Sequence, residues 1–156
     1  NSPFRRYKSW AHEGGIATPC IAWWPGRVPR GGITGEVGHI IDFMPTFLEL
    51  GDGSYPKEFK GNKILPVEGK SLVSVLRGQT RKGHKQLAWE WSGNRALREG
   101  KWKVVWDKAD KRWELFDLVA DRTETTDLAA KYPDLAKRLA ADWVAWAKRN
   151  GMKPKG

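Results

Sequence analysis

The sequence predicts an α/β chain: the last strand and helix of a large doubly wound domain, followed by a four-stranded antiparallel sheet with a packed C-terminal helix. Three observations predict it. The run 16–24 is mostly apolar and ends at Pro25-Gly26, the pattern of a strand covered on both faces, and a helical pattern follows from Asp42. Between Leu87 and Leu118 apolar and polar residues alternate in four short runs divided by turn residues. From Pro133 onward apolar residues recur at near-helical spacing.

Each element has a local reason. Arg5, Arg6 and Lys8 stand beside Glu13-Gly14-Gly15, just ahead of the apolar run. Glycines permit backbone shapes closed to other residues, and a basic side chain on a rigid support can be aimed at an anion. The alternative is a surface loop with solvated charges. Residues 28–35, rich in Gly and containing Pro29, read as an exposed loop. Asp42 is expected to cap a helix that takes Pro45 in its first turn, gathers Met44, Phe47 and Leu48 on an apolar face, and stops at Gly51. With no partner sheet to bury against, that face and the run 16–24 are expected to expose apolar surface. After a turn-rich stretch, 51–69, Ser71 is expected to cap a short helix reaching Arg77 and ended by Gly78. The polar, basic stretch 79–85 suggests a boundary, dividing the chain into 1–80 and 81–156.

In the second part, Leu87, Trp89 and Trp91 share a face, Ser92-Gly93 turns, 95–98 continues, and Trp102, Val104 and Trp106 share a face before a hairpin into 112–118. Pro133 and Asp134 suit a helix start, Lys148 and Arg149 its end, and Leu135, Leu139, Trp143 and Trp146 its apolar stripe. Such a helix is expected to cover the sheet. A Trp stripe at this spacing reads as core before it reads as a ligand platform.

Composition narrows the function classes. Ten Trp and 40% hydrophobic residues in 156 exclude a disordered tail. No apolar run approaches the roughly 18 residues of a membrane span, and no basic-then-apolar leader is present. A formal charge of +10 favours sulfate esters, acidic polysaccharide, nucleic acid or an anionic surface, with solubility as the plain alternative. The absence of zinc-finger spacing, an RNP-like motif or a basic helix argues against nucleic acid. Cys20 is the single cysteine, so no internal disulfide can form; within the apolar run it is expected to be an inert buried thiol.

The motifs together carry a resemblance. Asn1-x-Pro3, Arg5-x-x-Lys8, Glu13-Gly14-Gly15-Ile16, Pro19 and Trp24-Pro25-Gly26, followed by 42–46 (DFMPT), 69–72 (GKSL), 93–96 (GNRA), 100–103 (GKWK) and 113–118 (WELFDL), resemble the C-terminal portion of type I, formylglycine-dependent sulfatases of the alkaline-phosphatase-like superfamily. The resemblance spans nearly the whole chain. It implies that 1–80 closes the catalytic α/β domain and that 81–156 is the C-terminal subdomain. It also implies an intact enzyme hydrolysing aryl or carbohydrate sulfate monoesters, and an isolated chain without activity. Bacterial members are commonly periplasmic or secreted, and some are cytoplasmic.

The resemblance places Lys8 at the family's sulfate-binding lysine. A charge pair at about 4 Å is worth about 4 kcal/mol at an effective dielectric of about 20, enough to matter to a rate if positioned beforehand. Cys20 is followed by Ile21 and Ala22, not by the Pro and Arg of the formylglycine motif, so it is not the nucleophile. Formylglycine and a divalent cation, calcium in the first place, are expected upstream of this segment, with no metal ligand here; Asp42, Asp107, Asp110 and Asp117 read as isolated carboxylates at caps and turns. Substrate contacts are expected from His12, which otherwise is structural, and from Asn94 and Arg95, with Trp91 able to stack on a sugar or aryl ring. Trp91-Ser92-Gly93 replaces the His-Glu-Gly of many relatives. Glu13 is expected to hold the Gly14-Gly15 loop by accepting backbone hydrogens. The partners implied are a sulfated small molecule or carbohydrate and the remainder of the sulfatase chain. A phosphoester or phosphonate hydrolase of the same superfamily, and a non-catalytic module for acidic polysaccharide, remain alternatives.

Overall fold

The computed structural model describes residues 2–152. In chain order it contains α1 (Glu13–Ile16), a 3-10 turn (Ile40–Asp42), α2 (Phe43–Leu50), a small hairpin of β1 (Glu58–Phe59) and β2 (Asn62–Lys63), and α3 (Val73–Leu76). Then follow β3 (Gln86–Trp91), β4 (Asn94–Glu99), β5 (Trp102–Asp107), β6 (Arg112–Asp117) and α4 (Pro133–Arg149). These group into two compact units, 1–19 with 85–156, and 20–84.

The first unit is an antiparallel meander, β3-β4-β5-β6, with α4 laid on it. The β3–β4 connection is a two-residue turn in which Ser92 (φ 54°) and Gly93 (φ 87°) are both left-handed, the backbone that matches strand twist. On one face Leu97, Val104 and Leu115 stand in register across β4, β5 and β6. Ala136, Leu139, Trp143 and Ala147 of α4 close over them. The helix starts with Pro133, has Asp134 in its first turn and carries Lys148 and Arg149 in its last. The expected helix and its cover of the sheet are thus observed.

The opposite face is half apolar. Ala96, Val105, Phe116 and Leu118 pack there with Ala11 from the N-terminal segment. Asn94, Lys103, Asp107 and Glu114 lie among them on the same face, all at most 1% exposed.

The second unit is organised by a carboxylate. Asp42 is fully buried and accepts hydrogen bonds from the backbone N–H of His39 (3.0 Å) and of Lys70 (2.8 Å). Arg81 donates to its Oδ2 at 2.9 Å, and His84 Nε2 is 2.6 Å from its Oδ1. Burial alone would raise this carboxyl, but the Lys70 N–H, Arg81, His84 and the His39 N–H together hold it below the usual range. Asp42 is therefore no isolated cap residue: its side chain makes no bond to α2 and instead ties 39–42 to 70–84. The short helix expected after Ser71 appears as α3, with Ser71 Oγ accepting from the Val73 N–H at 3.1 Å.

The apolar run departs from expectation in forming no strand, while its exposed side chains agree with it. Residues 17–24 form no strand, Cys20 is exposed, and Ile21 and Trp23 are 90% and 86% exposed. A strand buried on both faces needs neighbouring strands for its backbone groups and layers for its side chains, and neither covers this run. The buried-thiol reading of Cys20 is overturned on the same ground. Met44 and Phe47 of α2 are also exposed, as expected of that apolar face.

Candidate functional site

The N-terminal segment folds as a loop, 5–10, wrapped on α1. The Gly14 N–H donates to the Arg5 carbonyl at 3.0 Å, and the Trp10 N–H donates to the Tyr7 carbonyl at 3.1 Å, closing a turn around Lys8. A Cβ at Gly15 would lie 2.0 Å from the Trp10 oxygen, and one at Gly14 would lie 2.3 Å from that of Arg6. The two glycines are thus required by close approach of backbone to backbone. Neither has a left-handed φ, which corrects the expectation that they serve an unusual backbone shape.

Buried polar groups on the sheet hold this loop from below. Arg6 donates to Asp107 Oδ2 at 2.8 Å and stacks its guanidinium 5.4 Å from the Trp10 ring centre. Asn94 Nδ2 donates to the Ser9 carbonyl at 2.7 Å, while its Oδ1 accepts from the Lys108 N–H at 3.2 Å. Arg5 pairs with Glu114 at 3.2 Å and donates to the Glu124 carbonyl. His12 Nε2 lies 3.3 Å from Glu114 Oε2. That His12 contact, with Arg5 beside it, keeps the Glu114 carboxyl below its ordinary value despite burial. Lys103, wholly buried, sits 2.8 Å from both Glu13 and Glu124. Glu124 in turn accepts from the Glu13 N–H. The Glu13 carboxylate thus binds a buried lysine rather than backbone hydrogens, and Glu124 takes the backbone role expected of Glu13.

Of the residues singled out by sequence, Lys8 is exposed and makes no hydrogen bond or ion pair with any described residue. It lies between Arg6 (φ 66°) and Ser9 (φ 79°), both in the left-handed region that non-glycine residues seldom adopt. Trp91 is 67% exposed and pairs across the β3–β4 ladder with Asn94, on the face that carries the loop. His12 is fully buried against Glu114, and Asn94 is spent on Ser9 and Lys108. Arg95 points to the other face, its guanidinium 5.2 Å from the Trp106 ring centre and 5.0 Å from that of Trp143. The structure therefore brings Lys8, Asn94 and Trp91 to one face and sends Arg95 to the α4 side.

The sequence reading missed Lys103, Asp107, Glu114 and Glu124. Their one signal was charge complementary to that of residues 5–13: three carboxylates and a lysine able to match Arg5, Arg6, His12 and Glu13. Among the described residues no three His, Cys, Asp or Glu side chains assemble as a metal site, and Asp42 and Asp107 are already filled by protein donors. Among the described residues the side chains do not fit a divalent cation.

Residues 5–146 match the family described as N-sulphoglucosamine sulphohydrolase, C-terminal. The chain belongs to this sulfatase family. A sulfatase of Schizosaccharomyces pombe, described as uncharacterized, is 30% identical over 97% of the chain, and the dog N-acetylgalactosamine-6-sulfatase is 32% identical over 60% of it. The chain spans only 28% and 20% of those two relatives. Among solved structures, the crystal structure of Ps i-CgsB shares the fold of this sulfatase segment, with a TM-score of 0.76 at 20% identity, over 94% of this chain and 32% of that one. The α/β class, the four-stranded antiparallel sheet and the C-terminal helix agree with that likeness.

Proposed function

We propose that this chain is the C-terminal part of an enzyme that hydrolyses sulfate monoesters, and that Lys8 contacts the sulfuryl oxygens. The observation that carries this reading is the state of Lys8 itself. Its ammonium has no partner among the described residues, while the loop that bears it is fastened on both sides to buried sheet residues. A cation on a loop fastened in this way meets charge that develops on an anion with less reorganisation than one on a loose loop. Trp91, exposed on the same face, offers a surface for a sugar or aryl leaving group. The N-acetylgalactosamine-6-sulfatase relative supports a sulfated carbohydrate as the substrate class.

Formylglycine would supply the nucleophile and a divalent cation, calcium, would polarise it; both belong to residues outside this chain, which alone is expected to be inactive. The test is Lys8→Ala in the full-length enzyme, assayed on 4-nitrophenyl sulfate and N-acetylgalactosamine 6-sulfate. A fall in kcat/KM of about 10²- to 10³-fold with an unchanged melting temperature supports the reading. Faster turnover of a phosphonate monoester than of either sulfate would transfer the chain to the phospho-hydrolase alternative. Salt-sensitive binding of acidic polysaccharide that survives Lys8→Ala, with no turnover at all, would favour the binding module.

A further inference from the structure

The two contacts that flank Lys8 come from one place on the sheet. Asn94 begins β4 and Asp107 ends β5, so the two lie at the same end of neighbouring antiparallel strands, on one face. Asn94 reaches the carbonyl of Ser9, the residue after Lys8, and Asp107 holds the guanidinium of Arg6, two residues before it. Both anchors are buried, at 1% and 0% exposure, so their geometry is fixed by packing.

The loop needs such anchoring. Arg6 and Ser9 occupy left-handed backbone that is strained for a non-glycine residue, so a free peptide of this sequence would relax out of the turn. The flexible four-carbon stem of a lysine places no constraint of its own on where the ammonium sits. The backbone beneath it sets the volume the ammonium can reach, and these two contacts set the backbone.

Resting on the sulfate-contact reading of Lys8, we infer that Asp107, acting through Arg6, is a positioning residue for the Lys8 ammonium. Asp107 does not meet substrate: both of its oxygens are engaged, Oδ2 by Arg6 and Oδ1 by the Ala109 N–H at 2.9 Å. Its effect on turnover must therefore pass through the loop, which gives the inference a signature that mere structural support lacks. Removing Asp107 should matter only while Lys8 is present.

The experiment is a double-mutant cycle in the full-length enzyme, using Asp107→Asn, Lys8→Ala and the pair, with turnover of 4-nitrophenyl sulfate and N-acetylgalactosamine 6-sulfate as readout. Asp107→Asn keeps the shape of the side chain and removes the charge that holds Arg6. The expected result is a loss of about 10- to 100-fold in kcat for Asp107→Asn, with KM changed less, and no further loss when it is added to Lys8→Ala. Multiplicative losses in the pair would overturn the inference and leave the Lys8 reading standing. No effect of Lys8→Ala, or no turnover of either ester by the unaltered enzyme, would overturn both. Should Asp107→Asn fail to fold, Arg6→Gln breaks the same contact from its partly exposed side and must show the same loss and the same dependence on Lys8.

Discussion

Lys103 Nζ lies 2.8 Å from a carboxylate oxygen of Glu13 and 2.8 Å from one of Glu124, with no solvent exposure on the lysine. The contact joins the middle of the sheet to α1, 90 residues earlier in sequence. Lys103→Met fills the same space and removes the charge, leaving two buried carboxylates facing each other. Breaking a buried pair in this way costs about 3–5 kcal/mol, so Lys103→Met is expected to lower unfolding free energy by that amount in urea denaturation. Replacing all three with apolar residues should recover much of the loss, because the carboxylates would no longer be stranded.

Gly15→Ala should be among the most damaging small substitutions in the chain. The added methyl would meet the Trp10 carbonyl at 2.0 Å and that of Tyr7 at 2.8 Å, and both are backbone atoms that cannot rotate aside. The loop must lift from α1, taking Lys8 with it. Thermal unfolding is expected to show a loss of about 1–3 kcal/mol. Turnover in the intact enzyme should fall with it. Gly26→Ala, where a Cβ would touch nothing but the backbone is left-handed (φ 75°), should cost less.

Arg95 is expected to matter to packing. Its guanidinium lies over Trp106 and Trp143, joining β4 to α4 on the face away from the Lys8 loop. Arg95→Ala removes both stacks and should destabilise the protein by about 1–2 kcal/mol, while KM for a sulfate ester stays at its original value. A rise in KM with unchanged stability would return Arg95 to the substrate side.

These contrasts show what the sequence made readable. The meander was legible because apolar residues recur at every second position, at 87, 89 and 91, at 102, 104 and 106, and at 113 and 115, and because Ser92-Gly93 is a turn pair; α4 was legible from Pro133 and the spacing of Leu139 and Trp143. The burial of Lys103, Asp107 and Glu114 was not, because a polar residue in an alternating strand reads as solvent-facing until something covers it. The cover is a loop whose Arg6 lies 101 residues from Asp107, and no local pattern reports a contact that distant. The run 17–24 failed only as a strand: its apolar pattern is that of a strand covered on both faces, and such a strand also requires neighbours, whose lack made the exposure of its side chains foreseeable. Lys8 stood out by resemblance, and the residues that fasten its loop emerged only from the fold.

Asp42 should make the protein sensitive to acid. Its carboxyl is held below the ordinary value of about 3.9, so the unfolded chain binds its proton more tightly than the folded one does. Stability from this group is therefore complete above the unfolded value and is lost as pH falls through the lower folded value. Glu114, lowered chiefly by its hydrogen bond with His12, acts in the same direction. Denaturant midpoints are expected to stay level from neutral pH to about pH 5 and to drop steeply below about pH 4. Asp42→Asn removes this group's titration and also weakens the contacts with Arg81 and His84, so it should lower stability by about 3–5 kcal/mol at pH 7 and flatten the acid limb. An acid limb as steep in Asp42→Asn as in the parent would show that Asp42 does not carry the acid sensitivity.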